Sequence, residues 1–352
     1  MLPVFDVDLE DEPRSRWRVV ALAYADKLRA IAEWQQDLLD CTTVVRASNR
    51  RRSGDRKRAR QGGRPGAKAQ HKSIEGHMAR FAAEEAERLL QAMRSAGGAL
   101  AGMAEELTGI ASAAGVELDV LATLSLQYEA YCACTTVVAP VESGGVALAR
   151  TLDWELPLLK QLNIDVRVHR GGQLLYVATT WAGYIGVLTA QRPGQYAAAV
   201  NFRERCSGEP GGCEALGLPV GLAVRLAFEE CASYTEFVER ISRAPSMAPF
   251  YCLVASAAGD GAQITRSEAS ELARRQLGGD VSHLLQANMD HWDSDPANDT
   301  QESLERLRVA QRALEPALAR GYATEAELWD LLWQCPIYEE GITLYCTVMD
   351  PA

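Results

Sequence analysis

The stretch Tyr131-Cys132-Ala133-Cys134-Thr135-Thr136-Val137-Val138-Ala139 puts Cys134 just before the β-branched run Thr135 to Val138, at the first residue of what reads as a buried strand. A thiol in that position suits an N-terminal nucleophile. Cutting the bond between Ala133 and Cys134 would leave a free α-amino group beside the sulfur to take its proton, with no histidine required. Its unperturbed pKa of about 7.7–8.0 is well placed for a general base near neutrality. Taken singly, a cysteine in an apolar strand is far more often a packing residue, so the assignment depends on what lies downstream. A metal site built on Cys132 and Cys134 is a weaker alternative, because no matching Cys or His pair is evident in the sequence.

Arg150 and Asp153, within Ala149-Arg150-Thr151-Leu152-Asp153-Trp154, stand together at a strand end or turn sixteen to nineteen residues after Cys134. An arginine near a cysteine favours its thiolate, and a carboxylate can accept hydrogen bonds from an α-amino group and hold it toward the sulfur. The plain alternative is an exposed ion pair of little energetic consequence.

These residues need a scaffold, and the periodicity changes where it should. Before Cys134 the pattern is predominantly helical, over residues 17–40, 73–95, 100–112 and 117–131, with Gly97-Gly98 and Gly115 as breaks. After Cys134 the period becomes two. Ile164, Val166 and Val168 alternate with polar residues, Gly171-Gly172 turns the chain and Gln173 to Val177 returns, which is a hairpin signal. Further strands are expected at 134–139, 145–151, 184–189, 196–202, 283–287 and 343–349, with a second hairpin over 251–257 and 262–267. Helices are expected at 219–242, 303–320 and 324–334. Periodicity alone therefore gives an α+β chain, helical at first and sheet-rich after Cys134.

Residues 46–72 interrupt this order with a crowd of Arg and Lys around Gly62-Gly63 and Pro65-Gly66. Such a segment has little apolar surface to bury and reads as a disordered, solvated loop. Two functional alternatives are attraction to an anionic membrane surface, at about 1 kcal/mol per basic residue, and a nuclear or RNA-binding tract. The chain as a whole opposes the second. Its 352 residues carry a net charge of −11, which argues against nucleic acid as the main partner.

With 47% hydrophobic residues there is ample material for a large core. No apolar run reaches the roughly 18 residues of a membrane span. Nine cysteines without framework spacing, and an N-terminus without a basic and an apolar signal region, lead to the expectation of a reduced, cytoplasmic setting.

Further motifs follow Arg150 and Asp153 in order. They are Thr179-Thr180-Trp181-Ala182-Gly183-Tyr184-Ile185-Gly186, then Gln286-Ala287-Asn288-Met289-Asp290-His291-Trp292, then Pro336-Ile337-Tyr338 and Thr343 to Met349. The opening Pro3-Val4-Phe5-Asp6-Val7-Asp8-Leu9 and Arg16-Trp17 complete the set. In this order and spacing the chain resembles the acid ceramidase and N-acylethanolamine-hydrolysing acid amidase family, within the choloylglycine-hydrolase group of N-terminal-nucleophile hydrolases. The likeness runs along nearly the whole chain except residues 46–72, and is closer to the N-acylethanolamine amidases.

The resemblance implies a four-layer αββα sandwich over 134–352, preceded by a helical small subunit over 1–133 that self-cleavage releases but that stays associated. It implies hydrolysis of a lipid amide through an acyl-thioester on Cys134, with no cofactor and no metal. Arg150 then stabilises the thiolate, Asp153 orients the α-amino group, Asn288 supplies the oxyanion-stabilising amide, and Arg306 aligns with a family arginine. Trp181, Gly183, Tyr184 and Asn201 fall at substrate-binding positions, where an apolar slot would hold an acyl chain at about 0.8 kcal/mol per methylene. The chain departs from the pattern at Phe202, where the family carries an acidic residue; Glu204 stands two places on. Ceramide, bile-salt conjugates and N-acyl amino acids remain open as substrates. Acyl transfer to an amine, and a catalytically silent lipid-binding role, are the readings from other classes. Because the family's animal members are lysosomal, a lysosome-like compartment is implied if the chain is a mature form.

Overall fold

The computed structural model describes residues 2–35, 86–126, 132–204, 217–299 and 302–352. The basic segment 46–72, and with it the expectation of a solvated loop, lies outside the described residues. The chain divides into two compact units, one of residues 1–12 and 131–352 and the other of residues 13–130.

The described part of the 13–130 unit is helical: α1 (Arg18–Ala23), α2 (25–35), α3 (86–96), α4 (Gly98–Ala114) and α5 (Leu118–Leu126). Its helices are pinned by a buried carboxylate. Glu106 on α4 is fully enclosed and accepts from the Trp17 indole N–H at 2.8 Å and from Arg16 at 2.8 Å. A buried carboxylate is tolerable only with such partners. Gly109 permits the close approach of this helix to the chain at Arg14, because an added Cβ would overlap the Arg14 backbone.

Among its described residues the other unit holds two sheets. The strands, in chain order, are β1 (Val4–Asp8), β2 (Ala133–Pro140), β3 (Val146–Asp153), β4 (Asn163–Arg170), β5 (Gln173–Trp181), β6 (Thr189–Arg192), β7 (Tyr196–Phe202), β8 (Phe250–Ser256), β9 (Gly261–Arg266), β10 (Glu271–Gln276), β11 (Leu284–Gln286) and β12 (Thr343–Met349). Its helices are α6 (Pro157–Lys160), α7 (Val220–Glu230), α8 (Tyr234–Arg243), α9 (Ser303–Arg320) and α10 (Glu325–Leu332). Eight strands form one sheet in the order β1-β4-β5-β6-β7-β8-β9-β10, and four form the other in the order β11-β2-β3-β12.

Side-chain alternation on β2 and β3 makes the four layers. Val138, Val146 and Leu148 point from the small sheet onto Ala197, Ala199, Leu253 and Ala255 of the large one, which closes the inter-sheet core. Val137, Ala139, Ala147 and Ala149 point the other way, onto Ala310, Leu314 and Ala317 of α9 and Leu328, Leu331 and Leu332 of α10. The outer face of the large sheet is covered by α7 and α8, where Tyr176, Tyr196, Phe228 and Phe237 cluster with ring centroids 4.7–5.3 Å apart. Each buried aromatic of this kind contributes about 1.5–3 kcal/mol. The αββα sandwich expected from the resemblance is thus present.

Four local expectations change. Val4–Asp8 is a strand, paired in parallel with β4, within a region read as predominantly helical. The 184–189 strand does not form. Gly183 has φ +91°, and the Tyr184 ring folds against Gly186 and Gly221, where an added Cβ would overlap its hydroxyl. The Val187 N–H then bonds the Gly221 carbonyl instead of a neighbouring strand, and β6 starts only at Thr189. The single helix expected over 219–242 is two, because Ser233 and Glu236 form a reciprocal capping box that starts α8. Finally, β10 was not expected; its sequence Glu-Leu-Ala-Arg-Arg-Gln is that of a charged edge strand.

Candidate active site

Cys134 is the second residue of β2, and its side chain shares the inter-sheet face with Thr136 and Val138. Arg150 shares that face on β3 with Val146 and Leu148. Antiparallel pairing sets Cys134 opposite Leu152, with Thr136 opposite Arg150, so the long guanidinium runs diagonally back to the sulfur. Its Nη2 donates to Cys134 Sγ at 2.8 Å. The same guanidinium is held from the large sheet by Thr189 Oγ1 at 2.6 Å and the Leu188 carbonyl at 3.2 Å, and it lies 5.8 Å over the Tyr345 ring. Cys134 and Arg150 are both fully buried.

Asn288 is the second residue after β11 and reaches the same place. Its Oδ1 accepts the Cys134 backbone N–H at 2.8 Å, and its Nδ2 donates to the Phe202 carbonyl at 2.7 Å and toward the Cys132 carbonyl at 3.4 Å. The amide nitrogen of the Ala133–Cys134 bond is therefore fixed by a side chain 154 residues away. Arg306, on the first turns of α9, completes the ring. It donates to the Cys134 carbonyl, to Thr135 Oγ1 at 3.0 Å and to Asn288 Oδ1 at 2.8 Å.

Asp153 closes β3, with Ala133 opposite it on β2 and Thr343 opposite it on β12. Its carboxylate accepts from the Thr343 hydroxyl at 2.6 Å and the Thr151 hydroxyl at 3.1 Å. Five of the expected residues (Cys134, Arg150, Asp153, Asn288 and Arg306), separated by up to 172 positions, therefore gather around one peptide bond.

The electrostatics separate the two neighbouring thiols. Burial pushes the Cys134 thiol up, but the hydrogen bond from Cys132 and the charges of Arg150 and Arg306 outweigh it and leave the thiol below its ordinary value. Burial pushes the Cys132 thiol well above its ordinary value, and the neighbouring Cys134 adds to the rise. Asp153 is raised to about 6 by burial, an effect only partly offset by its Thr343 bond and the two arginines.

The expected substrate-binding residues fall in two places. Trp181, at the end of β5, stacks on Tyr184 with ring centroids 4.5 Å apart and meets Trp154 edge-on at 5.8 Å. All three are buried, and the positive φ of Gly183 makes the turn that brings Tyr184 back under Trp181. Asn201 sits between the sheets with its amide committed. Its Oδ1 accepts from Thr136 at 2.6 Å, and its Nδ2 donates to the Gln286 and Ala287 carbonyls at 3.0 and 3.1 Å. This fixes the segment that ends in Asn288. Phe202, where the resemblance implies an acid, buries its side chain, and Glu204 is exposed.

Several residues of the site carry no short-range signal. Ser303 accepts from the Asn288 N–H at 3.1 Å and from Arg306 at 3.3 Å, and so ties β11 to α9. Arg203 pairs with Asp290 through two bonds of 2.7 and 2.8 Å, while the Tyr251 hydroxyl donates to the same carboxylate at 2.8 Å. This enclosed ion pair anchors the turn just after Asn288.

Known proteins resemble this chain in sequence and in fold. Residues 211–350 match the family model of acyl-coenzyme A:6-aminopenicillanic acid acyl-transferase. The chain is 30% identical over 266 residues to an N-acylethanolamine-hydrolyzing acid amidase of Caenorhabditis elegans, covering 70% of this chain and 72% of that protein. It is 26% identical to an acid ceramidase of Mus musculus, covering 70% of this chain and 66% of that one. A solved structure of a Caenorhabditis elegans N-acylethanolamine-hydrolyzing acid amidase ortholog superposes with a TM-score of 0.52 at 29% identity, covering 62% of this chain and 93% of its own.

Proposed function

As a member of the family of N-acylethanolamine-hydrolyzing acid amidases and acid ceramidases, to which it belongs, this chain is an amide hydrolase, and we propose that it cleaves N-acylethanolamines or related fatty-acid amides through an acyl-thioester on Cys134 after cutting itself before that residue. The observation that supports this reading best is the Cys134 thiol held 2.8 Å from Arg150 while Asn288 grips the nitrogen of the adjoining peptide bond.

In the first cleavage the Cys134 thiolate attacks the Ala133 carbonyl carbon. The C–S bond forms and the carbonyl electron pair moves to oxygen. Collapse breaks the bond from Ala133 to the Cys134 nitrogen, which takes up a proton from water and becomes a free amine. Water then hydrolyses the thioester, leaving Ala133 as a carboxylate. In turnover the new amine takes the thiol proton and hands it to the leaving amine of the substrate. Asp153, opposite the former Ala133 position, accepts a hydrogen bond from the catalytic amine, and Arg150 holds the negative sulfur.

Trp181 and Tyr184 supply an aromatic wall suited to an acyl chain. Hydrolysis of an N-acylethanolamine, a ceramide and an N-acyl amino acid, each matched in acyl length, tests the substrate class. The fastest kcat/KM is expected for the N-acylethanolamine and no activity for Cys134→Ala. A variant that retains turnover would overturn the mechanism.

The match to an acyl-transferase family model supports a second reading, in which an amine replaces water at the thioester. Added amine would then yield a new amide at the expense of free acid.

A further inference from the structure

Cys132 stands on the far side of the bond to be cut, and the hydrolysis described above makes no use of it. Its side chain is fully buried. Its sulfur lies 3.7 Å from the Cys134 sulfur, 3.5 Å from the Ala133 carbonyl oxygen and 3.3 Å from the Asp153 carbonyl oxygen. A thiol has one proton to give, so three acceptors compete for it, and two of them are the reacting atoms of the self-cleavage.

The groups around the two sulfurs decide which one carries the charge. Arg150 and Asp153 come from β3, Arg306 from α9 and Tyr345 from β12. Arg150 donates directly to Cys134, while burial is the largest influence on Cys132 and opposes its charge, so negative charge settles on Cys134 and the proton stays on Cys132. The burial that raises Cys132 keeps it a donor across the range in which Cys134 ionises.

We propose that Cys132 is a catalytic group for self-cleavage, carried on the segment that is cut: its S–H steadies the Cys134 thiolate and then turns to the Ala133 oxygen as charge moves there. The inference rests on the reading that cleavage falls between Ala133 and Cys134. In the attack the sulfur loses its charge as the C–S bond forms, and the oxygen 3.5 Å from the same S–H gains it. The donor follows the charge over a short rotation about its own side chain. No proton is consumed, because the S–H returns to its rest position when the C–N bond breaks and the carbonyl re-forms. A substrate carbonyl must later occupy the place of the Ala133 carbonyl, and Cys132, one residue before Ala133, is displaced with it.

The test follows the full-length chain made by cell-free translation and chased at pH 5, 7 and 9, with cut fragments measured by intact mass. Wild type, Cys132→Ala and Cys132→Ser are compared, and melting of each in a Cys134→Ala background monitors folding. Loss of one neutral donor should slow Cys132→Ala by about threefold to tenfold at pH 5. The deficit should narrow as pH rises toward 9, because the solution then favours the Cys134 thiolate with or without the bond, and Cys132→Ser, which keeps an O–H, should fall between the two.

Cleavage of Cys132→Ala at the wild-type rate at pH 5 overturns the proposal. Slowing by one factor at every pH, the signature of a packing defect, also overturns it. If the wild type is not cut before Cys134 at any pH, the self-cleavage reading itself fails and takes the proposal with it.

Discussion

Replacing Arg150 by Met removes the charge that holds Cys134 ready while keeping most of the side chain's volume. The Nη2–Sγ contact is 2.8 Å and both residues are fully enclosed, so water cannot replace the lost donor. A hydrogen bond to a charged partner is worth about 1.5–3 kcal/mol net, which is about 10- to 150-fold in the thiolate population. That factor applies only where the thiol is mostly protonated.

The rate of self-cleavage of Arg150→Met, followed by intact mass from pH 4.5 to 9, should therefore lag the wild type by about 10- to 150-fold at the acid end and converge toward it at the alkaline end. Arg150→Lys keeps the positive charge and should recover most of the acid-side rate. It loses part of the hold on Thr189 and Leu188. A deficit independent of pH, or a lysine variant no better than methionine, would refute the electrostatic role and leave Arg150 as a packing group.

Asn288→Ala removes the amide that holds the Cys134 nitrogen, and turnover should drop by about 100- to 1000-fold in a variant that still folds cooperatively, as for the loss of one preorganised donor. Asp153, raised to about 6, holds its proton in the folded chain to higher pH than in the unfolded one. Its contribution to stability is thus present below about pH 4 and lost as pH rises through about 6, on the order of 3 kcal/mol. In an uncut Cys134→Ala background the melting temperature should fall over that window, and Asp153→Asn should remove the fall; a slope that survives the substitution assigns it to another group. Arg203→Met leaves the enclosed Asp290 without its ion partner and should cost about 3–5 kcal/mol in urea unfolding, whereas removal of both charges should recover most of that loss.

The parts of the site that lie on one local pattern could be read directly. Cys134 announces itself by the β-branched run Thr135 to Val138 that follows it, although the strand starts one residue earlier, at Ala133, and Arg150 falls on the same inter-sheet face as Val146 and Leu148 by the period of two. The capping signature Ser233-Tyr234-Thr235-Glu236 stands in the sequence and marks where the 219–242 helix must break, but apolar periodicity on both sides masked it. Other features depend on partners far along the chain. β1 is five residues long and pairs in parallel with a strand about 160 positions away, so no hairpin turn announces it. Asn201 and Thr136 meet only because two sheets stack, and the same stacking commits Asn201 to the Gln286 and Ala287 carbonyls. The 184–189 run is as apolar as a buried strand, and only the positive φ of Gly183 and the packing of Tyr184 against Gly221 exclude it from the sheet. Arg203 and Asp290 are enclosed charges, which composition places on the surface and which only their mutual pairing allows inside.

The central claim is that Cys134 becomes a chain terminus and the nucleophile. N-terminal sequencing of the purified protein, joined to the intact mass of its fragments, tests it most directly. The wild type should yield a fragment beginning Cys-Thr-Thr-Val-Val-Ala at residue 134 and a partner ending at Ala133, and Cys134→Ala should remain one uncut chain. A terminus at Cys132, or a cut that persists in Cys134→Ala, would contradict the account.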